Sequence, residues 1–207
     1  MIVNPNYFYF KKAVPPKTCN KILKACRKKI VKEASLINEN KHAEKDNRTY
    51  TNKVKRNCKI AWINETWIYN ILNPFINEAN KKARWNFQLD WNESSQFTIY
   101  KKGEYYSWHT DQAAHPIKHE NKNLNGKTRK LSLTLQLTDR TKYEGGDFQF
   151  MWLDESKKNL LSQITVDDVK DRGTIIVFPS FMYHQVLPIT KGKRESLVNW
   201  SIGKEFK

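Results

Sequence analysis

The hydrophobic period of this chain changes near residue 96, and that change restricts the folds open to it. Before this point the apolar residues recur at helical spacing. Cys19, Ile22, Leu23, Cys26, Ile30 and Ala34 make one stripe, which predicts a helix capped by Thr18 and running to about Leu36. A second helical region is expected from about Asn64 to Arg84, with Trp67, Ile71, Phe75 and Ala79 on one face and Pro74 kinking or restarting it. The polar stretch from Asn38 to Lys59 between them reads as a surface loop. From Gln96 onward the pattern alternates. Leu131, Leu133, Leu135 and Leu137 interleave with Ser132, Thr134 and Gln136, as on a strand with one apolar and one polar face.

Further strands are expected at Tyr7–Phe10, Phe97–Tyr100, Tyr105–His109, Phe148–Leu153, Thr174–Phe178, Tyr183–Leu187 and Glu195–Ile202, with a hairpin turn at Glu144–Asp147. Two helices followed by many short strands predict a mainly β fold with flanking helices: a double-stranded β-helix (jelly-roll) core supported by N-terminal α-helices. The leucine face of 131–137 should meet those helices, and its polar face should look into the barrel. A chain of 207 residues suits a single domain, with 1–90 supplying the N-terminal strand and supporting helices and 91–207 the jelly-roll core.

The net charge of +16 would attract anions, but the basic residues are scattered and form no tract like a nucleic-acid arm. Cys19, Cys26 and Cys58 form no Cys-x-x-Cys pair, which argues for reduced thiols. With no signal-like N-terminus and no bilayer-length apolar run, a cytoplasmic protein without membrane contact is expected.

His109 and Asp111 lie two residues apart, so both should point to one face of a strand. His184 on a distant strand would complete a two-His, one-carboxylate set. Such a set covers one face of an octahedral ion and leaves the rest open, as in non-haem Fe(II) sites that activate oxygen. Arg194, ten residues later, could grip the far end of a dicarboxylic co-substrate.

The run from Phe97 through Tyr100, Gly103 and His109 to Asp111 resembles the metal-binding segment of Fe(II)/2-oxoglutarate dioxygenases, and more narrowly their prolyl-4-hydroxylase-like, PKHD-type branch. Leu131-Ser-Leu-Thr-Leu-Gln-Leu, Tyr143-Glu-Gly-Gly-Asp-Phe, the segment from Gly173 to Val186 and that from Pro188 to Trp200 are similar to the same branch in order, as is the entry from Phe8 to Cys19. The resemblance implies Fe(II) held by His109, Asp111 and His184, and 2-oxoglutarate bound by Arg194 with help from Tyr100 and Ser196. It gives Trp200 a place in the pocket wall and Gln136 a place near the distal carboxylate.

It further implies a dioxygenase that consumes 2-oxoglutarate and O2, with ascorbate as a candidate reductant. The product is a hydroxylated C–H carbon, most naturally of a prolyl residue in a protein or peptide, with succinate and CO2 released. The loop from Gln112 to Lys130 is expected to act as a lid. Two alternatives stay open: oxidative demethylation of nucleic acid on the same fold, disfavoured because no second Arg follows Arg194 on its strand, and a non-catalytic metal-binding jelly-roll module. His42, His115 and His119 read as surface or loop histidines.

Overall fold

The computed structural model describes residues 5–29, 32–33, 55–153 and 161–206. Strand β1 (Phe8–Phe10) leads into helix α1 (Pro16–Cys26). The short strands β2 (Lys32–Glu33) and β3 (Arg56–Asn57) and the longer β4 (Lys59–Ile63) precede helix α2 (Thr66–Lys82). The rest is almost wholly β: β5 (Trp91–Asn92), β6 (Ser95–Lys101), β7 (Tyr105–His109), β8 (Lys127–Gln136), β9 (Tyr143–Gly145), β10 (Phe148–Leu153), β11 (Leu161–Thr165), β12 (Ile175–Pro179), β13 (Tyr183–Val186) and β14 (Ile189–Lys204).

These strands form two antiparallel sheets. The major sheet runs β1-β12-β8-β14-β6-β4-β2, with β5 and β9 also paired to β14; the minor sheet runs β11-β10-β13-β7-β3. This is the jelly-roll the alternating pattern calls for, with α1 and α2 packed on the outer face of the major sheet. Leu131, Leu133, Leu135 and Leu137 join Ile22, Ile68, Leu72 and Ile76 in one buried cluster. Each such side chain contributes on the order of 1.5–3 kcal/mol when fully buried. A second cluster, with Phe148, Phe150, Phe178 and Val186 among its members, fills the space between the sheets. Among the described residues no helix is long and apolar enough to cross a membrane, and the three cysteines are free.

Several boundaries differ from the sequence reading. Helix α1 starts at Pro16 and ends at Cys26, so Thr18 lies inside it and makes no cap. A proline at the first helical position needs no N–H partner and already has helical φ, which moves the start upstream. Lys32–Glu33 pairs with Lys59–Ile60 as strand, which ends the helix well before Leu36. Most of the expected 38–59 loop lies outside the described residues, but Arg56–Asn57 and Lys59 are strand.

Helix α2 runs through Pro74 without a break, and its buried stripe is Ile68, Leu72, Ile76 and Ala79. Ala79 is buried as expected, but the rest of the stripe sits one residue later, and Trp67, Ile71 and Phe75 form its half-buried flank. Glu144–Asp147 is not a hairpin turn: Tyr143–Gly145 pairs with β14, whereas Phe148 pairs with Val186 in the other sheet. The chain crosses between sheets here, and Gly145 permits it. Its φ is +75°, and a Cβ there would come within 2.4 Å of the Pro188 carbonyl oxygen.

Candidate metal and carboxylate site

Strand β7 ends at His109 and pairs it directly with His184 of β13. Asp111 is not on the strand, contrary to the same-face argument. It lies beyond the strand's end, where the backbone N–H groups of Asp111 and Gln112 both donate to the Ser180 carbonyl at 2.9 Å. The turn that follows β12 thus aims the carboxylate.

Each imidazole is oriented by its own strand. His109 Nδ1 lies 2.8 Å from the Ser107 carbonyl oxygen, and His184 Nδ1 lies 2.9 Å from that of Met182. A carbonyl only accepts, so both Nδ1 atoms carry the proton and both Nε2 atoms present lone pairs. Those lone pairs meet the Asp111 carboxylate at 3.8 and 3.6 Å. Burial and the neighbouring His184 push the His109 pKa well below its ordinary value, which keeps the ring neutral. Burial alone would raise the Asp111 pKa, but His184, His109, Arg129 and the Ser132 hydroxyl outweigh it and hold it at about 2. Three candidate metal-ligand atoms therefore converge, within 4.8 Å of one another. A divalent cation satisfies all three at once. Among the described residues this is the only cluster of three or more His, Cys, Asp or Glu residues that could hold one.

The triad opens onto a cavity of about 470 Å³ that Arg194 also lines. Arg194 is 2% exposed, and its Nη1 donates to Ser196 Oγ at 3.3 Å. Its Nη2 is buried without a partner, and no carboxylate pairs with it among the described residues. A buried guanidinium lacking a counter-charge is costly unless an anion joins it. Antiparallel register sets Tyr100 directly opposite Arg194 on β6, and the guanidinium carbon lies 5.7 Å from the Tyr100 ring centroid. Burial pushes the Tyr100 hydroxyl well up, leaving it a neutral donor.

Arg194, Ser196 and Trp200 alternate along β14 and all line the cavity, and the buried indole N–H of Trp200 has no partner. Gln136 does not line the cavity, but register sets it directly opposite Ser196, and its amide nitrogen donates to the Thr138 carbonyl and to the hydroxyl of Tyr143, which neighbours Arg194. His115 joins the lining, whereas His119 accepts from the Asn121 N–H within its own loop; His42 lies outside the described residues. The expected 112–130 loop is shorter than that span, because β8 begins at Lys127. It is pinned at its base by hydrogen bonds between Ile117 and both Gly126 and Lys127.

Three lining residues escaped the sequence reading. Arg129 holds Glu93 with two hydrogen bonds of 2.5 and 2.8 Å and sits over the Trp200 ring at 3.9 Å. Arg56 falls in the stretch read as loop. No spacing marks any of them, since each reaches the cavity from a different strand or connection.

Residues 95–202 match the family described as the 2OG-Fe(II) oxygenase superfamily. A PKHD-type hydroxylase of Pseudoalteromonas atlantica is 30% identical over 106 residues, which are 51% of this chain and 41% of that relative. Another, from Prochlorococcus marinus, is 28% identical over 181 residues, 86% of this chain and 71% of the relative. The chain spans about two-fifths of the length of the first of these. Among solved structures, a Pseudomonas putida prolyl-4-hydroxylase superposes with a TM-score of 0.65 at 18% identity, covering 95% of this chain and 92% of the other. A Trichoplax adhaerens prolyl hydroxylase, in complex with a hypoxia inducible factor peptide fragment, gives 0.67 at 17% identity, covering 96% and 84%. These two likenesses support the jelly-roll fold. From the match over residues 95–202 and the triad within it, the chain belongs to the 2OG-Fe(II) oxygenase superfamily, whose cofactor and co-substrates are Fe(II), 2-oxoglutarate and O2.

Proposed function

We propose that the chain, as one domain, is a hydroxylase that binds Fe(II) through His109, Asp111 and His184, and acts on a prolyl residue of a protein or peptide. The observation that carries this reading is the pairing, in one cavity, of three convergent acceptors with a buried, unpaired guanidinium. The acceptors fit a divalent ion, and Arg194 fits the distal carboxylate of 2-oxoglutarate through charge-assisted hydrogen bonds. Ser196 holds the Arg194 fork in place, and the neutral Tyr100 hydroxyl is available as a further donor to the co-substrate.

When bound, the iron supplies the activation of O2 that couples 2-oxoglutarate breakdown to succinate and CO2 with hydroxylation of a C–H bond. The protein fixes both imidazoles in one tautomer, keeps Asp111 ionised, and lines the space beyond with Trp200 and Tyr106 against bulk water. The prolyl substrate is supported by relatives described as PKHD-type hydroxylases and by the prolyl hydroxylases among the structural neighbours, one of them with a bound peptide.

The test is anaerobic loading with Fe(II) and 2-oxoglutarate, followed by O2 and measurement of succinate with and without proline-containing peptides. The expected result is peptide-stimulated succinate and a hydroxyl mass shift on the peptide, both lost in His109→Ala. Absence of succinate from the metal-loaded protein would remove the dioxygenase reading. Succinate release that no prolyl peptide stimulates would remove the prolyl one.

A further inference from the structure

Arg56 is a second buried cation in the wall of the same cavity, 8% exposed and, among the described residues, without a carboxylate partner. It stands on β3 of the minor sheet, opposite Tyr106 of β7, and reaches across to the major sheet. There its Nη2 donates to Gln96 Oε1 at 2.5 Å, while its Nε donates to Cys58 Sγ at 3.2 Å. Its guanidinium carbon lies 4.5 Å from the Tyr106 ring centroid, and that ring stacks on His109 at 3.4 Å. One aromatic layer therefore separates Arg56 from the triad. Arg56 lines the cavity, and its guanidinium hydrogen bonds to described side chains are those to Gln96 and Cys58.

Among the described residues no carboxylate neutralises Arg56. Burial pushes up the Cys58 thiol and the Tyr100 hydroxyl, so both stay uncharged. Arg129 is neutralised by Glu93. On the reading above, the charges of a divalent ion, Asp111, Arg194 and dianionic 2-oxoglutarate cancel. Among the described residues, Arg56 is a buried arginine of the cavity wall still lacking an anion after the ion and co-substrate have bound.

We propose that the primary substrate presents a carboxylate to Arg56. One residual positive charge matches a monoanion, and the guanidinium fork matches a carboxylate bound through two hydrogen bonds. The carboxylate belongs either to an acidic side chain flanking the target residue in a peptide or to the α-carboxylate of a free amino acid. The inference rests on the proposed use of the triad and Arg194, and it adds a charge requirement to the substrate.

Equilibrium binding to protein loaded with Mn(II) and 2-oxoglutarate tests this without turnover. The probes are N-acetyl-Glu-X-Gly-amide and N-acetyl-Gln-X-Gly-amide, with X each of the twenty amino acids in turn, together with free L-proline and L-prolinamide. The carboxylate member of the best-binding pair is expected to bind about tenfold tighter or more than its amide. That preference should vanish in Arg56→Gln, return in part in Arg56→Lys, and persist in Lys81→Gln, which makes the same change in net charge on an exposed helix position.

Preference in the peptide pair assigns the acidic side chain, and preference only in the proline pair assigns the α-carboxylate. Equal binding of acid and amide, or a preference that survives Arg56→Gln, overturns the proposal. So does an absence of binding by every probe. Tightest binding at an X other than proline would overturn the prolyl reading while leaving the charge requirement standing.

Discussion

Arg129 donates through Nη1 to the backbone carbonyl of Asp111 at 3.2 Å while its Nε and Nη2 hold the Glu93 carboxylate. The carboxylate of the triad lies beyond the end of its strand, so this contact and the Ser180 carbonyl are what fix its backbone. Groups that orient metal ligands typically affect metal affinity by about 10–100-fold. Arg129→Met is therefore expected to weaken Mn(II) binding within that range, with Glu93→Gln weakening it less. Isothermal titration reads the change; unaltered affinity in Arg129→Met would show that Asp111 is held without it.

Arg194→Lys keeps the charge but loses the fork and the Ser196 contact. Charge-assisted hydrogen bonds contribute about 1.5–3 kcal/mol each, so the KM for 2-oxoglutarate should rise about ten- to a hundredfold. Metal affinity measured without co-substrate should stay unchanged. A parallel loss of metal binding would mean the substitution had disturbed the triad.

Gly146 has φ of +64°, and a Cβ there would meet Ile189 Cδ1 at 2.4 Å and Arg194 Cδ at 3.3 Å. Gly146→Ala should lower stability by about 1–2 kcal/mol through its left-handed backbone and the crowding. It should also raise the KM for 2-oxoglutarate by pressing on the Arg194 stem. Thermal unfolding and succinate kinetics check the two effects separately, and a stability loss with unchanged KM would free Arg194 from this contact.

Glu195 lies on β14 and pairs with Arg27 just past the end of α1, at 2.5 and 3.0 Å. Burial works to raise the Glu195 pKa, but hydrogen bonds from Arg27 and Lys193 outweigh it and bring the pKa below the ordinary 4.5. The folded chain then holds this carboxylate ionised to lower pH than the unfolded chain does. The stability it contributes is complete above pH 4.5 and is lost as pH falls through the lowered value. Arg27 is half exposed, so Arg27→Ala should cost about 1 kcal/mol at pH 7 and less at pH 3. Denaturant midpoints at the two pH values measure this; an equal cost at both would assign the loss to packing.

The fold class was legible because its signals are local. Alternation at Leu131–Leu137 and the helical stripes upstream come from neighbours in sequence, and burial against one sheet face demands both patterns. His109, His184 and Arg194 were legible for a related reason, since each lies on a strand the pattern marks out, whereas Asp111 lies beyond the end of its strand. Misplaced boundaries occur where non-local pairing overrides the local pattern. Lys32–Glu33 becomes strand by pairing with β4, and Gly145 changes sheets because β14 and β13 lie on opposite sides of it.

From sequence alone came the residue types, their order, and the face of β14 that Arg194 and Ser196 share, since a two-residue repeat needs no knowledge of partners. Tertiary structure decided how Asp111 is aimed, which imidazole nitrogens are free, and that Arg56, Glu93 and Arg129 join the same cavity. Those relations depend on which strands lie side by side and where the chain crosses between sheets. Burial then gives them their energetic weight, because a charge or lone pair demands a partner only once water is excluded.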